Sequence, residues 1–441
     1  MKNNKIDEII FSYLKNPFPI ELKARLIPYA WGQKGINAYI PALLNIAPEE
    51  NYPYAELWIG TNKKAPSMAL INNEIIPLNK IYDLLCLDKI LSVEEILSFQ
   101  VHPNKLQAHN GLKKEIGSLY ENDKRTYFDN NSKPEMTIPL TDFWLMADFL
   151  PKKECVKRLM RYQEIQDYFS FEINELAKAN TQTEIKQARE KLFIKMVTLK
   201  QTEINEILNS IEQKILIENE MTRFEKDQIE YWFLKAAKKY TVNNNYDLGL
   251  FAFFLLNLVH LIPFQENQVP TRNDAITMQP GDAIFIDCGV PHLYLEGVCF
   301  EQMNNSDNVI RAGLTTKYRN IPELLKIIDY SDKKLMVISP KITNNSNFQK
   351  ISYTSPNLNI IKNKVNNFVT KILKIMGKIS ISTFEAPQVI LILQGMVNII
   401  TETKYDSYSK GSIILIPPHK QIEIEALQQS ICINAYLTSP N

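Results

Sequence analysis

Histidine, glycine and cysteine are the scarce residues of this 441-residue chain, with 5 His, 13 Gly and 5 Cys. The cysteines (Cys86, Cys155, Cys288, Cys299 and Cys432) are odd in number and scattered, without a Cys-x-x-Cys pair. That pattern argues against a disulfide framework and a thiolate zinc knuckle, and it fits a reducing, cytoplasmic location. Excess charge is missing too: 50 Lys+Arg face 49 Asp+Glu, for a formal net charge of +1. No nucleic-acid partner is expected, because such binders carry a basic excess or a basic domain. No apolar run reaches the roughly 20 residues of a membrane-spanning helix. The longest, Leu248–Leu256, is followed by Asn257 and His260 and reads as a buried helix, so no membrane partner is expected. Charges interrupt the first seventeen residues, which therefore do not read as a secretory signal.

The scarce glycines are informative by position. None lies between Gly117 and Gly249, and no proline lies between Pro151 and Pro263. A stretch without breakers and rich in Glu, Lys, Gln and Leu predicts helices. Ile185, Ala188, Leu192, Met196 and Leu199, then Ile204, Leu208, Ile211 and Ile215, recur at helical steps. Thr181 with Glu184 has the spacing of a capping box. The flanks carry short β-branched runs bounded by Gly, Pro or Asn, among them Glu94–His102, Ala283–Asp287, Val389–Leu393 and Ser412–Ile416. Pro280-Gly-Asp-Ala-Ile-Phe-Ile followed by Pro291-His292 is echoed by Lys410-Gly-Ser-Ile-Ile-Leu-Ile followed by Pro418-His419. Glycine turn, apolar strand, then Pro-His resembles a cupin half-barrel, a small jelly roll. The expected fold is mainly β with an α-helical insertion. It comprises a cupin-like unit of residues 1–150 and 262–325, a helical domain at 151–261, and a second jelly roll at 326–441.

On a strand, residues i and i+2 share a face, so Gln100 and His102 of Ser98-Phe-Gln-Val-His-Pro103 project together. Two buried polar groups require a partner, and a divalent ion would satisfy both. Glu135 offers a carboxylate and His292 a second imidazole. For each histidine the alternative is a hydrogen-bonded core residue. With one carboxylate in the set, a Zn²⁺ ion would keep a net positive charge and its Lewis acidity.

Several strings resemble the signatures of type I phosphomannose isomerases, members of the cupin superfamily. They are Leu97-Ser-Phe-Gln-Val-His-Pro-Asn-Lys105, Ala55-Glu-Leu-Trp-Ile-Gly60, Lys64-Ala-Pro-Ser67, Lys133-Pro-Glu-Met136, Pro280-Gly-Asp-Ala-Ile-Phe285, and Pro291-His through Ser306-Asp-Asn-Val-Ile-Arg-Ala-Gly-Leu-Thr-Thr-Lys317. The resemblance implies a metal-holding cupin, a helical domain and a second jelly roll. It makes Gln100, His102, Glu135 and His292 the ligands of one zinc ion per chain. It further implies interconversion of mannose 6-phosphate and fructose 6-phosphate through a cis-enediol, with a sugar phosphate as the small-molecule partner. The chain is expected to be a monomer or weak homo-oligomer.

Carried over by position, Arg311 would hold an oxyanion or the phosphate, the alternative being a salt bridge to Asp307. Glu301 is a candidate base or a support for a zinc ligand. Lys133 and Lys317 match lysines near the substrate; with Ser98 and Lys89 they are candidates for the phosphate pocket, Lys89 having a solvated surface lysine as its alternative. Trp31 would lie near the sugar or in the core. The family usually has histidine where this chain has Ser132, a group proposed for proton transfer, which shifts weight to Glu301 or a lysine. Pro263–Asp274 reads as an extra exposed loop. His109 and His260 read as structural or surface residues, and His419 as a degenerate echo of His292. Two further readings stay open, a metal-dependent cupin oxidoreductase and a sugar-phosphate-binding cupin without catalysis.

Overall fold

The computed structural model describes residues 2–116, 124–264, 276–358 and 366–438. Its sheets are layered by strands that are apolar on both faces. In the strand Ile413–Ile416, Ile413 and Leu415 enter one core while Ile414 and Ile416 enter another. A strand covered on both sides reads as a continuous apolar run, which is why this segment shows no alternation. It belongs to a nine-stranded sheet. On one side of that sheet lies a four-stranded sheet whose strands Lys378–Ser382 and Gln421–Glu425 alternate exposed and covered positions. On the other side lies a twelve-stranded sheet, through a core that includes Ile90, Met136, Val298 and Phe300.

The mainly β class with a helical insertion is the one observed. The nine-stranded sheet is not made of C-terminal residues alone: Ile20–Lys23 pairs with Ile413–Ile416, and Met68–Ile71 and Glu74–Pro77 extend that edge. Between Lys152 and Tyr240 run five helices: Lys152–Leu159, Gln163–Lys178, Gln182–Val197, Gln201–Met221 and Ile229–Tyr240. The capping box is present, with the Glu184 amide donating to Thr181 Oγ1 at 3.2 Å and the Thr181 amide to Glu184 Oε2 at 3.0 Å. Ile185, Ala188, Leu192 and Met196 are buried, as are Ile204, Leu208, Ile211 and Ile215.

The sequence expectation fails for the apolar run at 248–256. Leu248–Phe251 is a 3₁₀ turn, Ala252–Leu255 a single α-turn, and Leu256–Leu261 a strand paired with Phe143–Phe149. Complete burial removes the periodicity that separates helix from strand. His260 consequently lies on that strand, stacked on Trp144 with ring centroids 3.9 Å apart. Only Phe99–Val101 of the Glu94–His102 segment is strand. Of the expected loop at 263–274, only Pro263 and Phe264 fall within the described residues.

One buried side chain fastens the helices to the sheets. Arg189, 1 % exposed, donates to the carbonyls of Leu150, Tyr330 and Ser331 at 2.8–2.9 Å and to Asp332 at 2.7 Å. Its partners thus come from the chain on both sides of the helices. Removing the guanidinium leaves three carbonyls and a carboxylate without this donor. Arg189→Met is therefore expected to destabilise the protein by about 3–5 kcal/mol, read as a lower urea midpoint with an unchanged slope.

Candidate functional site

The site is assembled by strand register. Gln100 stands directly opposite His292 on one neighbouring strand and opposite Arg311 on the other. Residues in register project to the same face, so the three side chains form a row. A second row runs Trp58, Lys89, Glu301, Thr137 across the strands Glu56–Gly60, Cys86–Val93, His292–Asn304 and Glu135–Pro139. By the period of two, Glu56 joins Trp58 and Glu135 joins Thr137 on that face.

The long strand His292–Asn304 serves both rows because it turns a corner. Its first part pairs with Phe143–Phe149 and its second with Cys86–Val93, with a register shift between Tyr294 and Glu296. The shift changes which parity faces inward: Tyr294 and Cys299 share one core, whereas Leu293 and Leu295 lie in a second and Val298 and Phe300 in a third. Gly297 makes the corner at φ +117, where a Cβ would lie 2.2 Å from the Asp142 carbonyl oxygen. Only glycine suits both the dihedral and the space. Similar crowding sits behind Arg311, where a Cβ on Gly313 would meet Gly249 Cα at 2.4 Å.

Four side chains converge in the first row's neighbourhood. His102 and His292 are fully buried and Glu135 is 1 % exposed. One ligand atom from each of the three lies within 4.8 Å of the others. Glu135 Oε1 is 3.3 Å from His102 Nε2, and Oε2 is 3.5 Å from His292 Nε2. The Gln100 amide lies 3.2 Å from His292 Nε2. Both histidines are oriented from behind, since His102 Nδ1 meets the Asn308 carbonyl at 2.9 Å and His292 Nδ1 the Val290 carbonyl at 3.0 Å. A carbonyl can only accept, so Nδ1 carries the proton and each Nε2 presents a lone pair to the cluster. Burial, with Lys133 nearby, pushes His102 down to about 3, and burial lowers His292 as well, so both rings are neutral. Glu135 Oε2 is buried without a hydrogen-bond partner. Two neutral imidazoles, an amide and a carboxylate with an orphaned oxygen match the donor set of a divalent cation.

Lys133 already brings positive charge here. Its ammonium donates to Glu135 Oε1 and lies 3.2 Å from His102 Nε2. Burial alone would raise the Glu135 pKa, but the Lys133 ammonium against it holds this carboxyl well below its usual range.

The second row is a buried charge network. Lys89, 7 % exposed, lies 3.2 Å from Glu56 and 3.6 Å from Glu301, with Nζ 5.0 Å from the Trp58 ring centroid. Burial would depress Lys89, yet Glu56, Glu301 and Glu135 together hold its ammonium above the usual lysine range. The surface alternative for Lys89 is thereby excluded. Tyr294 donates to Glu301 Oε1 at 2.8 Å, and Thr137 Oγ1 lies 2.7 Å from the same phenol. Burial, then the Glu135 charge, push Glu301 up to about 7, against the pull of Lys89 and Lys133.

A cationic patch lies at the rim. Arg311 is half-buried, and among the described residues it makes no ion pair. The expected alternative for it is not formed, because Asp307 pairs instead with Lys64 at 3.3 Å and accepts from Asn62 at 3.5 Å. Lys317 is exposed, its ammonium 5.2 Å from the Tyr29 ring centroid. Burial of its head, then Arg311 and Lys64, lower the Lys317 pKa. Trp31 is half-buried and stacks on Tyr29 with centroids 5.9 Å apart. Ser98 is half-buried, with Oγ 3.5 Å from Gln100 Oε1. Ser132 contributes its carbonyl to Asn304 Nδ2 at 2.8 Å. His109 is exposed on the helix Lys105–Ile116, and His419 adopts φ 55 away from the cluster.

Sequence reading did not single out Glu56, Tyr294, Thr137, Asn308 or Tyr29. A visible signal existed for Glu56, a carboxylate inside the apolar strand Ala55-Glu-Leu-Trp-Ile-Gly60, where burial demands a cation. None existed for Asn308, which acts through its backbone carbonyl.

Residues 20–152 match the family model for the catalytic domain of type I phosphomannose isomerase. A mouse mannose-6-phosphate isomerase is 27 % identical, the match covering 93 % of this chain and 96 % of that protein. The human protein of the same name is 26 % identical over the same shares. A mutant phosphomannose isomerase from Salmonella typhimurium superposes with a TM-score of 0.73 at 22 % identity, covering 96 % of this chain and all of that one. A mannose 6-phosphate isomerase structure described as holo and zinc-bound gives 0.72 at 24 %, covering 94 % and 98 %. These structures share the fold.

Purified protein is expected to carry about one divalent metal ion per chain by elemental analysis. Glu135→Gln and His292→Ala should each lower that content more than tenfold, whereas Lys317→Met should leave it unchanged.

Proposed function

We propose that this chain, a member of the type I phosphomannose isomerase family, is a zinc-dependent aldose–ketose isomerase that interconverts mannose 6-phosphate and fructose 6-phosphate. The observation that carries this reading is the single row His292, Gln100, Arg311, which sets metal-ligand chemistry beside a cation that makes no ion pair among the described residues. Gln100, His102, Glu135 and His292 would hold the zinc. When bound, that ion supplies a Lewis acid for the sugar's carbonyl and hydroxyl oxygens.

The residues of the chain do the rest. Isomerisation moves a proton between C2 and C1 through a cis-enediol, so one group must accept and return it. Glu301 suits this role: its carboxyl titrates near neutrality and is held by Tyr294 at 2.8 Å, with Lys89 3.6 Å away. Ser132 cannot supply an imidazole, which leaves Glu301 as the candidate for proton transfer. Lys89 and Tyr294 position it. Lys133 sits against the ligand carboxylate and would donate to a sugar oxygen. Arg311, Lys317 and Lys64 repel one another at the rim, and a phosphate dianion would relieve that repulsion. Asp307 sets Lys64, Trp31 would pack against the sugar, and Ser98 would donate to the phosphate or steady Gln100. The sugar phosphate is the only partner this reading requires.

The test is a coupled assay from fructose 6-phosphate, run with and without chelator. Turnover is expected, abolished by chelation and restored by zinc. Glu301→Gln should retain its metal and lose at least about 100-fold in kcat. Glu301 must be ionised to accept a proton, so kcat/KM falls as the pH drops through its pKa. That acid limb should lie at or below about 7, since a nearby cation favours the carboxylate. Arg311→Met should raise KM for the phosphate ester more than Trp31→Phe does. The competing reading, a cupin that binds sugar phosphate without converting it, is motivated by Ser132. Saturable binding by zinc-loaded protein with no turnover would select it.

A further inference from the structure

A cavity lies away from this site, where the strand Cys86–Val93 meets the nine-stranded sheet. It has a volume of about 230 Å³, and its wall includes Asp83, Asp88 and Glu385 together with Leu84, Val389 and Leu437. At about 30 Å³ per water-sized group, that is room for roughly eight non-hydrogen atoms. Asp88 is 4 % exposed, and its Oδ1 is buried without a hydrogen-bond partner. A buried carboxylate oxygen without a donor is costly. Asp83 and Glu385 are exposed at the rim, and among the described residues neither forms an ion pair. The cavity therefore offers three carboxylates, one deep and two outer, set in aliphatic walls.

We infer that this cavity binds a small organic cation, an ammonium or guanidinium group on a short apolar body, with the charged head on Asp88. The apolar lining favours such a ligand over a bare metal ion, which prefers an all-oxygen shell of six or more donors. Asp88 is also tied to the catalytic strand. Its carboxyl accepts from Gln302, which stands opposite it in register, while the next pair along the same two strands is Lys89 and Glu301. Gln302 in turn reaches the nine-stranded sheet, donating to the Tyr436 carbonyl at 3.2 Å and accepting from Thr370 at 3.0 Å. Burial holds the Asp88 carboxyl up to about 7. A cation seated on it stabilises the ionised form, so binding near pH 7 releases protons.

The test is calorimetric titration of the zinc-loaded full chain with benzylammonium, with benzyl alcohol as the neutral isostere and magnesium chloride as the metal control. The expected result is one saturable site per chain for benzylammonium. Its heat should depend on the buffer's ionisation enthalpy at pH 7, and fructose 6-phosphate should not compete. Asp88→Asn, which keeps the shape and the Gln302 contact, should weaken binding at least about tenfold, as should replacing the ammonium by the alcohol. Ala386→Phe, which narrows the cavity without touching Asp88, should weaken it similarly. The inference is overturned by any of four results: no saturable benzylammonium binding up to about 10 mM, equal binding by Asp88→Asn, displacement by fructose 6-phosphate, or binding of magnesium in place of the amine.

Discussion

Ionised and polar groups on a buried sheet face have to be held by one another, and that constraint organises this molecule. Glu135, Glu301, Glu56, Lys89 and Lys133 are all less than a tenth exposed. A buried charge is tolerated only when it is paired and hydrogen-bonded. Each carboxylate accordingly meets a lysine, an imidazole or a phenol, and the strands that deliver these partners lie in register. The apolar outer faces of the same strands fill the cores toward the neighbouring layers, so chemistry and packing occupy opposite sides of single strands. The inner face gains little stability from these charges. Its value lies in placing them.

Within that network the two sets of charges differ in kind. Around Glu135 the imidazoles are neutral and directed, each anchored through Nδ1 with its open atom pointing inward, and the Lys133 ammonium keeps the carboxyl ionised. Around Glu301 the charge balance is close to even, with Lys89 on one side and the phenol of Tyr294 on the other. A carboxyl under such opposing influences titrates near neutrality, where a proton acceptor is most useful. The two environments share one buried sheet face yet shift two glutamates in opposite directions.

Much of the fold was legible because elementary periodicities carry it. The stripe from Ile185 to Ile215 and the Thr181–Glu184 cap marked the helices, and the missing glycines and prolines marked their neighbourhood but not their ends, since Phe143–Phe149 and Leu256–Leu261 within those stretches are strands. The pairing of Gln100 with His102 followed from strand alternation, whereas Glu135 and His292 could be joined to them firmly only by resemblance. What stayed hidden has physical causes. The run at 248–256 is covered on all sides, so no face of it is polar. The contribution of Ile20–Lys23 and Met68–Pro77 to the nine-stranded sheet is long-range pairing, which local pattern does not encode. The pairing of Asp307 with Lys64 rather than Arg311 depends on loop geometry that the four-residue spacing between Asp307 and Arg311 does not reveal.

His292 and Glu301 stand nine residues apart, an odd number. In an uninterrupted strand they would face opposite sides, and one would be lost to the interior. The register shift between Tyr294 and Glu296 reverses the count, so both point inward from one continuous segment. Between these two residues the chain can therefore exchange side chains far more freely than it can change length. A single deletion there would exchange the inner and outer faces of whatever follows, presenting Gln302 to the site and Glu301 to the neighbouring sheet. The stretch from 292 to 301 thus works as a ruler whose essential content is its number of residues.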